Sequence, residues 1–250
     1  SPYCRLDRLQ YGGSIGGPII QDRLHFFGSY ERKDETRSNS VFLNRTEYTS
    51  RFQDQLGTFE APFEQDLFFG KLSWQPNDQN RVDLSATYRT EQDIRDFGGQ
   101  NAATRANGVN LDTTSVVLKH QYQGSFFVND FSVDFFRSNY NPRAINFDQP
   151  GQRFVIYRDN VAGTPAFDFS YNNQEATVIN LGGGNNNQDI RDESVTLRND
   201  LTFNEIEWMG RHTIKVGARY SMRNYYVAKM FNRNPQFDYD IQARPEILNS

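Results

Sequence analysis

The sequence predicts an all-β fold, and three observations carry that reading. Polar and apolar residues alternate with a period of two in several segments. No stretch carries the i, i+3, i+4 stripe of an amphipathic helix. The connectors between alternating segments are short and long by turns, which places all the long ones on one side of an antiparallel meander. Together these define an antiparallel transmembrane β-barrel with short periplasmic turns and long extracellular loops.

The strands follow in order. A glycine-rich strand near 9–16 leads through the short connector GPIIQDR into an aromatic strand near 24–33. A long connector, 34–62, precedes the strand near 63–75, and PNDQN supplies the turn chemistry into the next, near 81–92. That strand holds the clean alternation RVDLSATYR: Val82, Leu84, Ala86 and Tyr88 share one face, while Arg81, Asp83, Ser85, Thr87 and Arg89 share the other. After a long connector at 94–112 come strands near 113–123 and 131–140, joined by QGSFFVND. The longest connector, 141–190, precedes strands near 191–204 and 212–227, joined by NEIEWMGRH. In the first of these, Val195, Leu197, Leu201 and Phe203 oppose Ser194, Thr196, Arg198, Asp200 and Thr202. In the second, Ile214, Val216, Ala218, Tyr220 and Met222 oppose Thr213, Lys215, Arg219 and Ser221.

Composition fits strands that are apolar on one face only. Hydrophobic residues make up 36% of the 250, yet aromatics reach 14%, and mean hydropathy is −0.77. A barrel with lipid outside and a wet lumen needs apolar side chains on one side alone. The polar face, including Lys71, Arg81, Arg89, Arg198, Arg219 and Arg223, then lines the lumen. Trp74 and Trp208 sit beside short turns, and Tyr30, Tyr88, Tyr140 and Tyr225 sit near the long loops. These positions suggest aromatic belts at the two membrane interfaces. No run of about 18 apolar residues offers a membrane helix. The net charge of −4 argues against nucleic acid, and the single Cys4 gives neither a disulfide nor a cysteine metal site.

The glycines of YGGSIGGP do not make a phosphate loop, because Pro18 and an alternating segment follow where a helix N-terminus is needed. Glycines there serve a close backbone approach or a bend. His25, His120 and His212 lack ligand-spaced partners, so no metal site is assigned. PNDQN and NNNQD read as turns, with a loop calcium site as the alternative. Asn44 heads a sequon, NRT, that has no meaning in a bacterial outer membrane. LGGGNNNQD, 181–189, reads as a mobile loop tip. Phe167, Phe169 and Tyr171 alternate in the longest loop, as a loop hairpin or as stacking surfaces for a ligand. They and the lumen-facing Lys71, Arg89, Arg198 and Arg219 are the candidate substrate-binding residues. No catalytic constellation and no cofactor motif is present, so no enzyme is expected.

The stretch YGGSIGGPIIQDRLHFFGSYE, Tyr11 to Glu31, resembles the early barrel hairpin of Oar-like TonB-dependent outer-membrane receptors. DLFFGKLSWQPNDQNRVDLSATY and GRHTIKVGARYS are similar to further barrel segments of that wider class. The resemblance implies an active transporter in the bacterial outer membrane: a roughly 22-stranded barrel closed by a plug. It also implies energy from the TonB complex acting through that plug. The partners expected are the bilayer with its lipopolysaccharide, the plug, the TonB complex and a surface lipoprotein. About eight strands are read here and no plug or TonB box, so the chain is expected to be an internal piece of one barrel domain. A metal chelate, peptide or oligosaccharide is the expected cargo. The alternative is a barrel serving adhesion or surface assembly.

Overall fold

The computed structural model describes residues 7–157, 175–207, 209–231 and 234–241. Eight long strands form one antiparallel sheet: β1 (Asp7–Ile20), β2 (Leu24–Val41), β3 (Gly57–Asn77), β4 (Asn80–Arg95), β5 (Asn107–Gln123), β6 (Phe127–Ala144), β9 (Gln188–Glu207) and β10 (Arg211–Lys229). Each pairs with its sequence neighbour, except that β6 pairs with β9 across an inserted segment. That insertion carries β7 (Gly151–Tyr157) and β8 (Glu175–Gly182), which join β11 (Gln236–Asp240) in a separate three-stranded sheet. The eight strands are those the alternation predicts, with the same neighbours.

Register turns the alternation into two faces. One row runs Ile15, Gly28, Gly70, Ala86, Val116, Phe135, Val195 and Met222, one residue from each strand. The next row on that face includes Phe26, Leu72, Leu84, Leu118, Val133, Leu197 and Tyr220. Large apolar side chains on this face are exposed, among them Leu72, Trp74, Leu84, Val216 and Tyr220. The opposite face carries the row His25, Ser73, Asp83, Lys119, Ser132, Arg198 and Arg219. An exposed apolar face backed by a charged one inverts the soluble rule and assigns the first to lipid, the second to water. Apolar outward residues from Trp74 to Phe68 cover roughly 20 Å of strand at ~3.3 Å per residue.

The outward face ends in an aromatic and then a charged row. Tyr30, Phe68 and Tyr88 lie side by side, with ring centroids 4.8 and 6.3 Å apart. Two residues beyond, Arg32 donates to Asp34, Asp66 and Glu64 at 2.8, 2.7 and 2.6 Å. That order, apolar then aromatic then ionic, is the passage from hydrocarbon through interface to water. The inferred belt needs correcting at two positions. Tyr140 pairs with Leu111, and Tyr225 with Asp192, which puts both on the inner face. Each sits an odd number of residues from its lipid-facing neighbours Phe135 and Met222, so strand geometry turns it inward. Tyr11 and Tyr226 occupy the outward positions instead, opposite Arg32 and Arg191. Trp208 lies outside the described residues.

Strand ends differ from the sequence reading on the loop side. β2 and β3 remain paired without a bulge out to Val41 and Gly57, so the connector expected at 34–62 shrinks to 42–56. Likewise 94–112 shrinks to 96–106, and 141–190 holds β7 and β8. Above the bilayer both faces meet water or protein, so alternation fades while backbone pairing continues. Ion pairs line the extension: Lys33 pairs with Glu35 along β2 at 2.8 Å, and Arg37 reaches across to Asp93 of β4. The turn placed at Gly17–Arg23 tightens to Gln21–Arg23, closed by Arg23 N–H to Ile20 C=O at 3.1 Å with Asp22 at φ 60°. The Asn77 side chain accepts from the backbone of Gln79 and Asn80 and so closes the β3–β4 turn. Gly12 answers the glycine question: a Cβ there would sit 2.4 Å from the Tyr30 carbonyl oxygen.

The face assignment is testable by paired substitutions. Leu84→Arg should lower the unfolding free energy by about 2–4 kcal/mol. Ser85→Arg, one residue along on the wet face, should change it little. Urea unfolding in lipid vesicles measures both.

Candidate functional site

The inner face is a wall of mutually neutralised charge. Asp83 accepts from Arg81 at 3.0 Å and from Ser73 at 2.5 Å, and Lys71 lies 3.3 Å away. Arg89 pairs with Glu91, Arg198 with Asp200 at 2.5 Å, and Arg223 with Asp192 at 2.7 and 2.5 Å. Exposed pairs of this kind contribute roughly 0–1 kcal/mol each. Their larger effect is to keep the wall hydrophilic without a strong field of either sign. Arg219 faces Arg198 directly across the β9–β10 ladder and has no carboxylate among the described residues. Of the four wall cations taken from sequence as candidate binding residues, Lys71, Arg89 and Arg198 are thus engaged, and Arg219 has no carboxylate partner among the described residues.

Towards the extracellular end the wall becomes denser. The ring of Phe63 is flanked by Lys33 Nζ at 4.8 Å and the Arg37 guanidinium at 5.5 Å. Arg95 lies over the Tyr140 ring at 5.8 Å and bonds its hydroxyl. Asp93, the one buried charged residue among those described, is neutralised by Arg37. The Glu35 carboxyl is held below its usual range, first by the Lys33 bond and against the opposing effect of burial.

Above this lies a folded cap. β7 pairs with β8 antiparallel and with β11 in parallel. Phe154, Ile156, Val178, Ile179 and Ile241 from this sheet share a core with Phe52, Phe97 and Ala102 from the two shorter loops. Backbone bonds knit the loops to the sheet: Ala102 N–H to Asn180 C=O at 3.0 Å, Asn180 N–H to Gln100 C=O at 2.8 Å, and Ile241 N–H to Val155 C=O at 3.1 Å. The strand residues buried at this end are Val41, Ala61, Asp93, Val109, Pro142 and Ala144. By register all six lie on the Lys71 face. Their outward neighbours Phe42, Asn110 and Ile145 are exposed. The cap therefore sits on the inner side of the strand extensions, over the extracellular end of the polar wall.

The cap also corrects the reading of 181–189 as a mobile tip. Gly183 is packed so closely that a Cβ would lie 1.9 Å from Gln149 O and 2.2 Å from Asn146 O. Gly183 N–H bonds Pro150 C=O at 3.1 Å, and Ala144 N–H bonds Asn186 C=O at 2.8 Å. Glycine is used here for close backbone approach, which composition alone does not distinguish from slack. Phe167, Phe169 and Tyr171 lie outside the described residues. Among those described, no group of three His, Cys, Asp or Glu side chains is arranged to hold a metal ion. The residues that sequence reasoning missed are Phe63, at the start of a predicted strand, Asp93, just past the end of another, and Arg105, in a stretch taken as a loop.

Comparison with known proteins agrees with this architecture. Residues 2–59 match the family described as outer membrane beta barrel domain. No curated protein matches the sequence. The outer membrane transporter YddB from Escherichia coli is similar in structure, with a TM-score of 0.62 at 12% identity, over 95% of this chain and 28% of that one. The siderophore receptor PiuA from Acinetobacter baumannii aligns with a TM-score of 0.45 at 9% identity, over 90% of this chain and 40% of that one. The chain has the fold of an antiparallel outer-membrane β-barrel, and its place is the bacterial outer membrane. It spans 28% of the length of the transporter it matches.

One ion pair ties the segment after β10 to the cap, and it predicts a pH dependence. Arg153 donates to Asp238 at 3.0 and 2.6 Å, holding that carboxyl below its usual range against the opposing effect of burial. A depressed carboxyl stabilises the docked strand at neutral pH and loses that contribution as pH falls beneath the ordinary carboxylate range and through its depressed folded value. Both side chains are partly exposed, so the contribution is about 1 kcal/mol or less. Amide exchange of 236–240, corrected for intrinsic pH effects, should accelerate in the native protein as pH falls beneath the ordinary carboxylate range. In Arg153→Gln it should be faster at neutral pH and nearly independent of pH.

Proposed function

We propose that this chain is the barrel portion of a TonB-dependent outer-membrane receptor of the Oar-like kind that Tyr11–Glu31 resembles. It imports a solute too large or scarce for a passive pore, such as a metal chelate, peptide or oligosaccharide. The observation that carries this reading is the seating of the cap on the same face as the polar wall. Capture surface and transit path are then one continuous surface, with no lipid-facing step between them. Among the described strands β1 and β10 form the two edges of the sheet, which supports a larger barrel: unpaired backbone cannot face hydrocarbon, so each edge pairs with a further strand. The outer-membrane domain match and the transporter-like fold support the same reading. In it, a plug fills the lumen and receives the pull of the TonB complex. The bilayer with its lipopolysaccharide surrounds the barrel, and a surface lipoprotein docks on the cap.

The cap's own hydrophobic core favours a second reading, in which a fixed outer surface serves adhesion or assembly. Two deletions separate the readings. Under the transport reading, cells lacking the receptor and cells lacking the TonB complex both lose uptake of the same solute, measured with isotope-labelled nutrient mixtures. If uptake survives in the TonB-deficient cells while surface adhesion fails in the receptor-deficient ones, transport is overturned and adhesion stands.

A further inference from the structure

A pocket of about 220 Å³ opens in the cap between the short helical turn Ala103–Arg105 and the segment 184–186. Asp96, Asn101, Arg105, Asn107, Asn185 and Asn186 line it. Its volume is below the roughly 300–1,000 Å³ of sites that swallow a whole drug-sized ligand, so it takes one unit of something larger.

The polar atoms left over in this pocket alternate between donors and acceptors. Asn101 Oδ1 accepts from Asn180 at 2.8 Å, and Asn186 Oδ1 from Gln188 at 2.7 Å, which leaves both carboxamide NH2 groups as donors. Asn107 Nδ2 donates to Asp96 Oδ2 at 2.8 Å, which leaves Asn107 Oδ1 and Asp96 Oδ1 as acceptors. Asn185 Oδ1 is a buried acceptor with no partner among the described residues. Arg105 bonds the Gly183 carbonyl and, at 3.4 Å, the Gln236 side chain. No carboxylate among the described residues pairs with its half-buried guanidinium. The Asn101 and Asn186 donors and the Asn107 and Asp96 acceptors therefore line the pocket without further partners among the described residues, while Asn185 Oδ1 is shielded from it.

We propose that this pocket binds one residue of a neutral, hydroxyl-rich ligand, a saccharide unit of an oligosaccharide. A hydroxyl both donates and accepts, and adjacent hydroxyls satisfy the alternating set. A carboxylate or phosphate only accepts, and would leave Asn107 Oδ1 unpaired beside the Asp96 charge. An ammonium only donates, and would leave Asn101, Asn186 and Arg105 facing a cation. Adjacent hydroxyls suit the fork of Arg105, while Asp96 keeps its own cation in Arg95 at 4.0 Å. Four of the six lining side chains are uncharged carboxamides, which recognise hydroxyl patterns without selecting net charge. The inference rests on the capture role proposed above and names its ligand class.

Calorimetric titration of the full-length protein in detergent micelles tests it, with maltotriose, cellotriose and chitotriose as probes and trialanine and citrate as comparisons. At least one trisaccharide should bind, and trialanine and citrate should not. Asn186→Ala, which removes a donor with no partner among the described residues, should weaken that binding about tenfold, the equivalent of ~1.4 kcal/mol, with Tm unchanged. If Asn186→Ala lowers Tm, Asn101→Ala, which removes the other such donor, should give the same weakening in a stable protein. Absence of binding by all three trisaccharides, insensitivity to the pocket variants, or pocket-dependent binding of trialanine or citrate overturns the proposal. Binding to solubilised protein needs no energised membrane. Saccharide binding without TonB-dependent uptake would therefore sink the transport reading and leave the pocket standing. The reverse result would sink only the pocket.

Discussion

Hydrocarbon offers a peptide group nothing to hydrogen-bond, and a buried group left unpaired costs several kcal/mol. Every strand that crosses must therefore pair along its whole membrane-spanning length with a neighbour on each side. The ladders β2–β3, β4–β5, β5–β6 and β6–β9 run without a register break for this reason. Unbroken register in turn keeps the side-chain alternation in phase from strand to strand. A one-residue slip between any two would turn a row such as Gly70, Ala86 and Val116 into the lumen and put Lys71 into lipid. The two chemically distinct faces thus follow from backbone pairing, and the polar wall is a by-product of the same constraint.

Above the bilayer the constraint relaxes, and the chain does something different with the same ladders. Paired strands continue into water, where ion pairs and the Phe63 clamp replace lipid contact. Loops that would otherwise be loose then have fixed walls to pack against. Val41, Ala61, Val109 and Ala144 turn inward by the parity set deep in the membrane, and the cap closes on them. Strand register therefore reaches from the lipid rows up to the surface that meets a solute first, and it decides which side of the barrel wall the cap covers.

Strand identity was legible because the bilayer imposes a period of two. RVDLSATYR and TIKVGARYSM show it residue by residue, and the eight-stranded order follows from them. Outside the bilayer that pressure is absent, and Arg37–Val41 or Gly57–Ala61 carry no alternation to read, although they are strands. The inward turn of Tyr140 and Tyr225 was available from counting parity, but position near a strand end was read in its place. LGGGNNNQD shows the limit of composition: the same glycines serve a slack loop or a tightly packed one, and only the carbonyls of Pro150 and Gln149 distinguish them. Asp93 and Arg105 were hidden because their partners, Arg37 and Gln236, lie 56 and 131 residues away in sequence.

The central claim is that one face of this sheet meets lipid and the other water. Single spin labels placed in turn at residues 82–88 of β4, in a cysteine-free background of the full-length protein in bilayers, measure it directly. Collision with oxygen, which concentrates in hydrocarbon, should peak at 82, 84, 86 and 88. Collision with a water-soluble nickel complex should peak at 83, 85 and 87. A flat profile, or nickel reaching the even positions, would contradict the account.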